Sequence, residues 1–241
     1  MKIAFFGDSL TKGQVSANFI NLLNDRYPNS KLFNFGTNGA TLNIISMKVL
    51  KHLQNQNDYD LIVLQGGSND ILLPHFNVRD GLFKFAYKSQ IEKGHKPIID
   101  SREYYHALID FFRQIKALYN GKIIFITMGC LNEKIDTELN RERRNFNVAA
   151  RNAAIEEDIA IADIEPVFEN FLFGKNQTNY LIESFWAVTL FDKIWSLTKR
   201  GIAHLSERRK LHLTIDGVHL NNEGASIISN SIIDTLAKKV F

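Results

Sequence analysis

The first residues of the chain decide its fold class: Lys2–Gly13 reads KIAFFGDSLTKG. The apolar run Ile3–Phe6 ends at a Gly-Asp-Ser sequence, a combination typical of the turn between a strand and a helix. We therefore predict a first strand at Lys2–Phe6, with Ser9 at the start of the helix that follows the turn. The chain begins with a β-α unit.

The same alternation of short apolar runs and segments of helical periodicity continues along the chain. Further strands are predicted at Lys31–Phe35, Leu61–Gln65, Lys122–Thr127 and Ile159–Ile164. Helices are predicted at Val15–Tyr27, Leu42–Gln54, Glu103–Tyr119, Arg141–Asp158 and Asn221–Lys239. The stretch from about residue 74 to 101 is predicted to be irregular.

Two of the predicted strands contain uninterrupted apolar runs, Leu61–Leu64 and Ile123–Ile126. Such runs are typical of parallel strands, because helices cover both faces of a parallel sheet. The pattern predicts an α/β fold, a three-layer α/β/α sandwich around a parallel sheet.

Residues 1–241 are predicted to form a single domain, because no internal repeat and no linker rich in Pro or Gly divides them. An insertion at about 167–213 separates the fifth strand from the last helix. It carries a dense aromatic and aliphatic segment between Tyr180 and Trp195. This segment could add to the core, cover an apolar acyl chain as a lid, or form the surface of a homodimer.

Composition excludes several classes of protein. With 29 basic and 26 acidic residues, the net charge of +3 is too small to indicate a nucleic-acid-binding protein. No apolar stretch is long enough for a transmembrane segment, and the run after Met1 is too short for a signal peptide. Cys130 is the single cysteine, so disulfides are not expected. A cytoplasmic location is the simplest prediction if Met1 is the natural start.

Polar residues cluster where predicted strands end. Gly7-Asp8-Ser9-Leu10 follows the first strand, a segment from Asn34 to Gly39 follows the second, and Gly67-Ser68-Asn69-Asp70 follows the third. Asp216-Gly217-Val218-His219 precedes the last helix. Open parallel sheets bind ligands at the carboxyl ends of their strands, so these segments are predicted to meet in one crevice.

Three of these residues supply the parts of a catalytic triad: Ser9 as nucleophile, His219 as base, and Asp216 to orient the imidazole. Acyl transfer also places negative charge on the carbonyl oxygen. The backbone N–H groups of Ser9 and Gly39 and the side-chain amide of Asn69 are candidate donors to this oxyanion.

Other interpretations of the same residues are weaker. Residues 7–13 contain Gly, Ser, Thr and Lys, but Lys12-Gly13 reverses the order of a phosphate-binding loop. Cys130 follows a strand and could line the site, although a free buried thiol is the simpler interpretation. His75 and His204 lie in segments that could border the pocket.

The residues Gly7-Asp8-Ser9-Leu10, Gly39, Asn69 and Asp216/His219 resemble the four sequence blocks of the SGNH, or GDSL, hydrolase superfamily. The resemblance extends from residue 5 to about 230. It implies a flavodoxin-like sandwich with a five-stranded parallel sheet, the triad and oxyanion hole named above, and neither a metal nor an organic cofactor. Gly36 also fits the second block, but Gly39 fits it better. Met128–Leu131 departs from the Pro-rich exit that the family often has after its fourth strand.

The predicted protein is a serine esterase or lipase that cleaves carboxylic ester bonds through an acyl-enzyme on Ser9. Its predicted partner is a small-molecule ester, either an acyl lipid or an acetylated sugar, and the aromatic insertion favours the lipid. Two alternatives stay open: a carbohydrate O-acetyl esterase, and a carbohydrate- or lipid-binding module that has lost catalysis.

Overall fold

Parallel strands form the centre of the computed structural model, which describes residues 1–79, 81–181, 195 and 197–239. In this part of the chain the sheet has five strands: β1 (Lys2–Phe6), β2 (Lys31–Asn34), β3 (Leu61–Gln65), β4 (Lys122–Ile126) and β5 (Ala160–Ala162). Their order is β2-β1-β3-β4-β5, and every neighbouring pair is parallel. In register, Ile3 of β1 lies beside Leu32 on one side and Leu61 on the other.

Helices connect the strands and cover both faces of the sheet. They are α1 (Ser9–Lys12), α2 (Phe19–Arg26), α3 (Leu42–Leu53), α4 (Ser68–Asn77), α5 (Leu82–Glu92), α6 (Ser101–Leu118), α7 (Glu138–Glu156), α8 (Glu165–Leu172), α9 (Lys199–Arg209) and α10 (Asn222–Lys239).

Alternate residues of each strand point to opposite faces of the sheet and belong to two separate cores. Ala4 and Phe6 of β1 pack in the core beneath α3 to α7. Ile3 and Phe5 of the same strand pack in the core beneath α2, α8, α9 and α10. The central strand β3 is buried along its whole length. The predicted three-layer α/β/α sandwich with five parallel strands is thus confirmed.

The prediction for residues 74–101 was wrong. Helix α4 continues through Pro74 to Asn77, and α5 occupies Leu82–Glu92. The rings of Phe76 and Phe83 lie 5.4 Å apart where the two helices meet, and Ala86 is buried beside them. These contacts come from the tertiary structure and override the local tendency of Pro74 to end a helix.

Several predicted boundaries shift because capping side chains, rather than the apolar pattern, decide where helices begin. Helix α2 starts at Phe19 and not at Val15, since the side chain of Asn18 accepts a hydrogen bond of 2.9 Å from the N–H of Ile20. Strand β5 is shorter than the predicted Ile159–Ile164; in the described part of the chain it is an edge strand whose three residues pair with β4.

The predicted insertion begins inside a helix of the core. Phe168 and Leu172 of α8 are buried beneath the sheet. Most of the aromatic segment that suggested a lid or a dimer surface, residues 182–194, lies outside the described residues. In the part of the chain that the structure describes, no helix combines the length and the apolarity that crossing a bilayer requires.

Candidate active site

The turn after β1 fixes the position of Ser9. The carboxylate of Asp8 accepts a 2.9 Å hydrogen bond from the N–H of Leu10, which begins α1 at Ser9. The second carboxylate oxygen of Asp8 accepts a 3.0 Å bond from the side chain of Gln65, at the end of β3. Burial raises the pKa of Asp8, although the hydrogen bonds from Gln65 and Leu10 oppose this rise. The turn is therefore tied to the centre of the sheet.

Ser9, His219 and Asp216 form a hydrogen-bonded chain. Nε2 of His219 lies 3.1 Å from Oγ of Ser9, although 210 positions separate the two residues. Nδ1 of His219 lies 2.7 Å from Oδ2 of Asp216. Both distances are those of direct hydrogen bonds, so a hydroxyl, an imidazole and a carboxylate stand in the order that a catalytic triad requires.

A tight turn holds Asp216 and His219 together. Oδ1 of Asp216 accepts hydrogen bonds from the N–H groups of Val218, at 3.0 Å, and His219, at 2.7 Å. The N–H of Ile215 donates to the carbonyl oxygen of His219 at 2.8 Å, which closes the turn from the other side. The imidazole can thus rotate little relative to the carboxylate.

Electrostatics favour the ionised form of Asp216. Complete burial opposes ionisation, but the charge of His219 and the hydrogen bonds from His219 and Val218 outweigh it and lower the pKa of Asp216. An ionised Asp216 accepts the proton on Nδ1 of His219. The lone pair of Nε2 then faces the Ser9 hydroxyl, as general base catalysis requires.

Donors for an oxyanion lie beside Ser9. Among the residues that the structure describes, the backbone N–H groups of Ser9 and Gly39 have no acceptor. Gly39 has a φ of 71°, a left-handed conformation that favours glycine. The side-chain nitrogen of Asn69 donates one hydrogen to the carbonyl oxygen of Ala40 at 3.0 Å, which leaves its second hydrogen for a ligand. All three predicted donors line one crevice.

Gly36, the second candidate for the glycine donor, lies elsewhere. Its α-carbon is packed against the backbone of Thr11 and Lys12, and its N–H donates to the side chain of Asn34 at 2.9 Å. The geometry therefore favours Gly39 over Gly36.

The crevice beside Ser9 is small and mostly apolar. Its volume is about 190 Å³. Helices α4 and α5 supply its apolar wall, which consists of Leu72, Leu73, Phe76, Phe83 and Ala86. Because residues 74–101 were predicted to be irregular, the sequence did not reveal that α5 forms part of the site.

Two further residues near the oxyanion donors were missed. Gln90 lines the crevice next to Gly39, and its buried side-chain oxygen has no hydrogen-bond partner among the described residues. His95 is buried, and its Nδ1 lies 2.8 Å from the carbonyl oxygen of Gly39. Neither residue lies in a motif, so no local signal could have identified them.

Other candidate residues lie away from the triad. His75 lines a second cavity together with Arg79 and Glu138, and His204 stacks on Trp195. Cys130 is a free buried cysteine, and burial raises the pKa of its thiol. Within the described ranges, no group of three His, Cys, Asp or Glu residues is arranged to hold a metal ion.

Solved structures share this architecture. The acetyl xylan esterase AlAXEase matches with a TM-score of 0.63 and 18% identity, over 98% of this chain and 100% of its own. A G-D-S-L lipolytic family member from Veillonella parvula DSM 2008 matches with a TM-score of 0.63 and 17% identity, over 99% of both chains. A catalytic mutant of Axe2, an acetylxylan esterase from Geobacillus stearothermophilus, matches with a TM-score of 0.64 and 17% identity, over 98% of this chain and 93% of its own. At these identities the likeness shows the fold.

Sequence comparison supplies the family. No curated protein matches the chain. A model of the GDSL-like Lipase/Acylhydrolase family matches residues 5–227, a range that includes all four predicted sequence blocks. Because this match spans most of the chain, the protein belongs to the GDSL-like Lipase/Acylhydrolase family and is an ester hydrolase.

Proposed function

We propose that this protein removes short acyl groups, acetyl above all, from carbohydrate esters through an acyl-enzyme on Ser9. The observation that carries the proposal is the hydrogen-bonded chain from Ser9 through His219 to Asp216, which opens on a crevice of about 190 Å³. The chain of hydrogen bonds supports the reaction type, and the size of the crevice supports the short acyl group.

The proposed reaction has two steps. Nε2 of His219 takes the proton of Ser9 as Oγ attacks the ester carbonyl, and the ionised Asp216 stabilises the resulting imidazolium. The N–H groups of Ser9 and Gly39 and the amide of Asn69 stabilise the oxyanion, and each donor can contribute about 100- to 1000-fold in rate. His219 returns the proton to the leaving alcohol oxygen. His219 then deprotonates a water molecule that attacks the acyl carbon, and it returns this proton to Oγ of Ser9 as the carboxylic acid leaves.

The acyl preference follows from the size of the crevice. Its volume of about 190 Å³ lies below the range of roughly 300–1,000 Å³ that is typical of small-molecule sites. A long fatty acyl chain exceeds this space, and the aromatic segment that favoured an acyl lipid is mostly outside the described residues. AlAXEase and Axe2 are named acetyl xylan esterases, which supports an acetylated carbohydrate as the substrate class.

A series of nitrophenyl esters from acetyl to dodecanoyl, run beside acetylated xylo-oligosaccharides, tests the proposal. We expect kcat/KM to be highest for acetyl, to fall steeply beyond hexanoyl, and acetate to be released from the oligosaccharide. A maximum at long chains would support the acyl-lipid alternative instead. Ser9→Ala is expected to abolish both hydrolysis and labelling by a fluorophosphonate probe; full activity in this variant would contradict the role of Ser9.

Other predictions from the sequence stay predictions. A homodimer through the insertion can be tested by light scattering, a cytoplasmic location by cell fractionation, and a single cooperative domain over 1–241 by calorimetry. None of the three is required for the proposed reaction.

A further inference from the structure

We propose that Glu133 is a positioning residue. It holds the turn that carries Asp216 and His219, here called the triad turn, in the position that the reaction requires, and it acts on this turn through Thr214. The inference rests on the proposed function, because it assumes that this turn supplies the base of the reaction. Glu133 lies in the loop after β4 and belongs to none of the sequence blocks of the family.

Among the described residues, the hydrogen bonds of Glu133 are all made with one short segment of the chain. Oε2 accepts a hydrogen bond of 2.6 Å from the N–H of His212. Oε1 accepts bonds from the N–H groups of Leu213, at 2.8 Å, and Thr214, at 2.7 Å. It also accepts the hydroxyl proton of Thr214 at 2.7 Å. Four bonds thus join the loop after β4 to the three residues that lead into the triad turn.

Thr214 connects Glu133 to the triad turn through hydrogen bonds. Its hydroxyl donates its only proton to Glu133, so its oxygen is left to accept a 3.1 Å bond from the N–H of Gly217. Gly217 directly follows Asp216. A second bond, 2.7 Å from the N–H of Asn132 to the carbonyl oxygen of Gly217, comes from the same loop. The turn is therefore held through both backbone polar groups of Gly217.

The loop that carries Glu133 is itself anchored to a helix. The side chain of Asn140, in α7, accepts a 3.0 Å bond from the N–H of Leu131. It donates bonds to the carbonyl oxygens of Asn132, at 2.8 Å, and Lys134, at 3.1 Å. Asn140 is completely buried, so the loop cannot move without leaving a buried amide unsatisfied. A rigid helix thus supports the position of the triad turn.

The burial of Glu133 indicates that this position requires a carboxylate. The residue is fully buried, and within the described part of the chain its hydrogen bonds come from neutral N–H and hydroxyl groups. A buried carboxylate without a cation is costly unless neutral donors satisfy it. A leucine or glutamine would fill the space at lower cost, but neither could accept all four hydrogen bonds.

The matched variants Thr214→Val and Thr214→Ser test the inference. Valine keeps the branched shape but removes the hydroxyl, whereas serine keeps the hydroxyl. We expect Thr214→Val to lower kcat by about tenfold to 100-fold with little change in KM, because small displacements of reacting groups have effects of this size. Thr214→Ser should restore most of the lost kcat. The rates are expressed per active site, titrated with a fluorophosphonate.

A proton NMR spectrum supplies a readout independent of turnover. We expect the downfield signal of the Nδ1 proton between His219 and Asp216 to shift or broaden in Thr214→Val and to return in Thr214→Ser. A Thr214→Val variant that loses thermal stability but keeps kcat per active site and this signal would overturn the inference. If Thr214→Val does not fold, Glu133→Gln takes its place, and an unchanged kcat in that variant would overturn it equally.

The Ser9→Ala variant separates this inference from the function on which it rests. If Ser9→Ala retains hydrolysis, the proposed function has failed. If Ser9→Ala is inactive while Thr214→Val turns over at the wild-type rate, only the positioning role of Glu133 and Thr214 is wrong.

Discussion

At the scale of single residues, the proposed reaction depends on which ring nitrogen of His219 carries the proton. Asp216 lies 2.7 Å from Nδ1, and its pKa is lowered, so it is an acceptor at neutral pH. This arrangement requires Nδ1 to carry the hydrogen and directs the lone pair of Nε2 toward the hydroxyl of Ser9. The orientation of one imidazole ring therefore links a buried carboxylate to the hydroxyl of Ser9, the proposed nucleophile.

Asp216→Asn tests this dependence. The side-chain oxygen of asparagine can still accept from the N–H groups of Val218 and His219, but its NH₂ group would face Nδ1 and favour the other tautomer. We expect kcat to fall by about 10⁴-fold, the loss that the same change causes in the triad of a serine protease. Steady-state kinetics with a nitrophenyl acetate and circular dichroism would measure activity and folding.

The exposed Asp234, on the surface of α10, provides a matched control. Asp234→Asn makes the same chemical change far from the crevice and should retain wild-type kcat. A loss of less than tenfold in Asp216→Asn would show that its carboxylate does not set the tautomer of His219.

At the scale of secondary-structure elements, α4 and α5 form the apolar wall of the crevice beside Ser9, and we expect this wall to limit which acyl groups fit. The wall that they form was not predicted, because the apolar residues of α5 form a weak pattern and residues 74–101 were expected to be irregular. Phe83 and Ala86 are buried where α5 packs against α4. Apolar residues at helical spacing can identify a helix that packs on a large core. They do not identify a short helix that packs mainly on another helix.

Ala86→Leu tests the role of α5 in substrate selection. Three added carbon atoms would occupy part of a crevice of about 190 Å³. We expect kcat/KM for butyryl and hexanoyl esters to fall at least about tenfold relative to acetyl, since overpacking a filled site costs about 1–3 kcal/mol. The nitrophenyl ester series measures this change.

Phe85→Ala is the control on the same helix, because Phe85 is 68% exposed and faces away from the crevice. Its chain-length profile should match that of the wild type. An unchanged profile in Ala86→Leu would mean that the acyl group does not enter the space between α4 and α5.

At the scale of the whole molecule, Asp70 links three loops at the carboxyl edge of the sheet. It follows β3, and its carboxylate accepts 2.9 Å bonds from the N–H groups of Leu42, at the start of α3, and Ile98, before α6. Burial raises the pKa of Asp70 to about 7, although both hydrogen bonds oppose this rise. Ionisation of this residue should therefore affect the stability of the fold near neutral pH.

The sign of this effect follows from proton linkage. The folded state binds the proton of Asp70 up to about pH 7, whereas the unfolded state loses it near pH 3.8. The stability that this group contributes is complete below pH 3.8 and is lost as the pH rises to about 7. We expect the free energy of unfolding of the wild type, relative to Asp70→Asn, to decrease over this range by a few kcal/mol.

Urea unfolding of both proteins at several pH values measures the difference. Asparagine does not titrate, so subtracting its curve removes the contribution of all other groups. A difference that is constant with pH would show that Asp70 ionises alike in the folded and unfolded states.

The sequence by itself determined the fold class and the chemical groups, because both depend on local patterns. Apolar runs such as Leu61–Leu64 predict buried parallel strands, and the polar residues after them predict where a crevice lies. The tertiary structure alone decided that Nε2 of His219 lies 3.1 Å from Ser9, that α5 limits the crevice, and that Glu133 supports the triad turn. These contacts join residues far apart in the chain, and packing, rather than any local pattern, sets their distances.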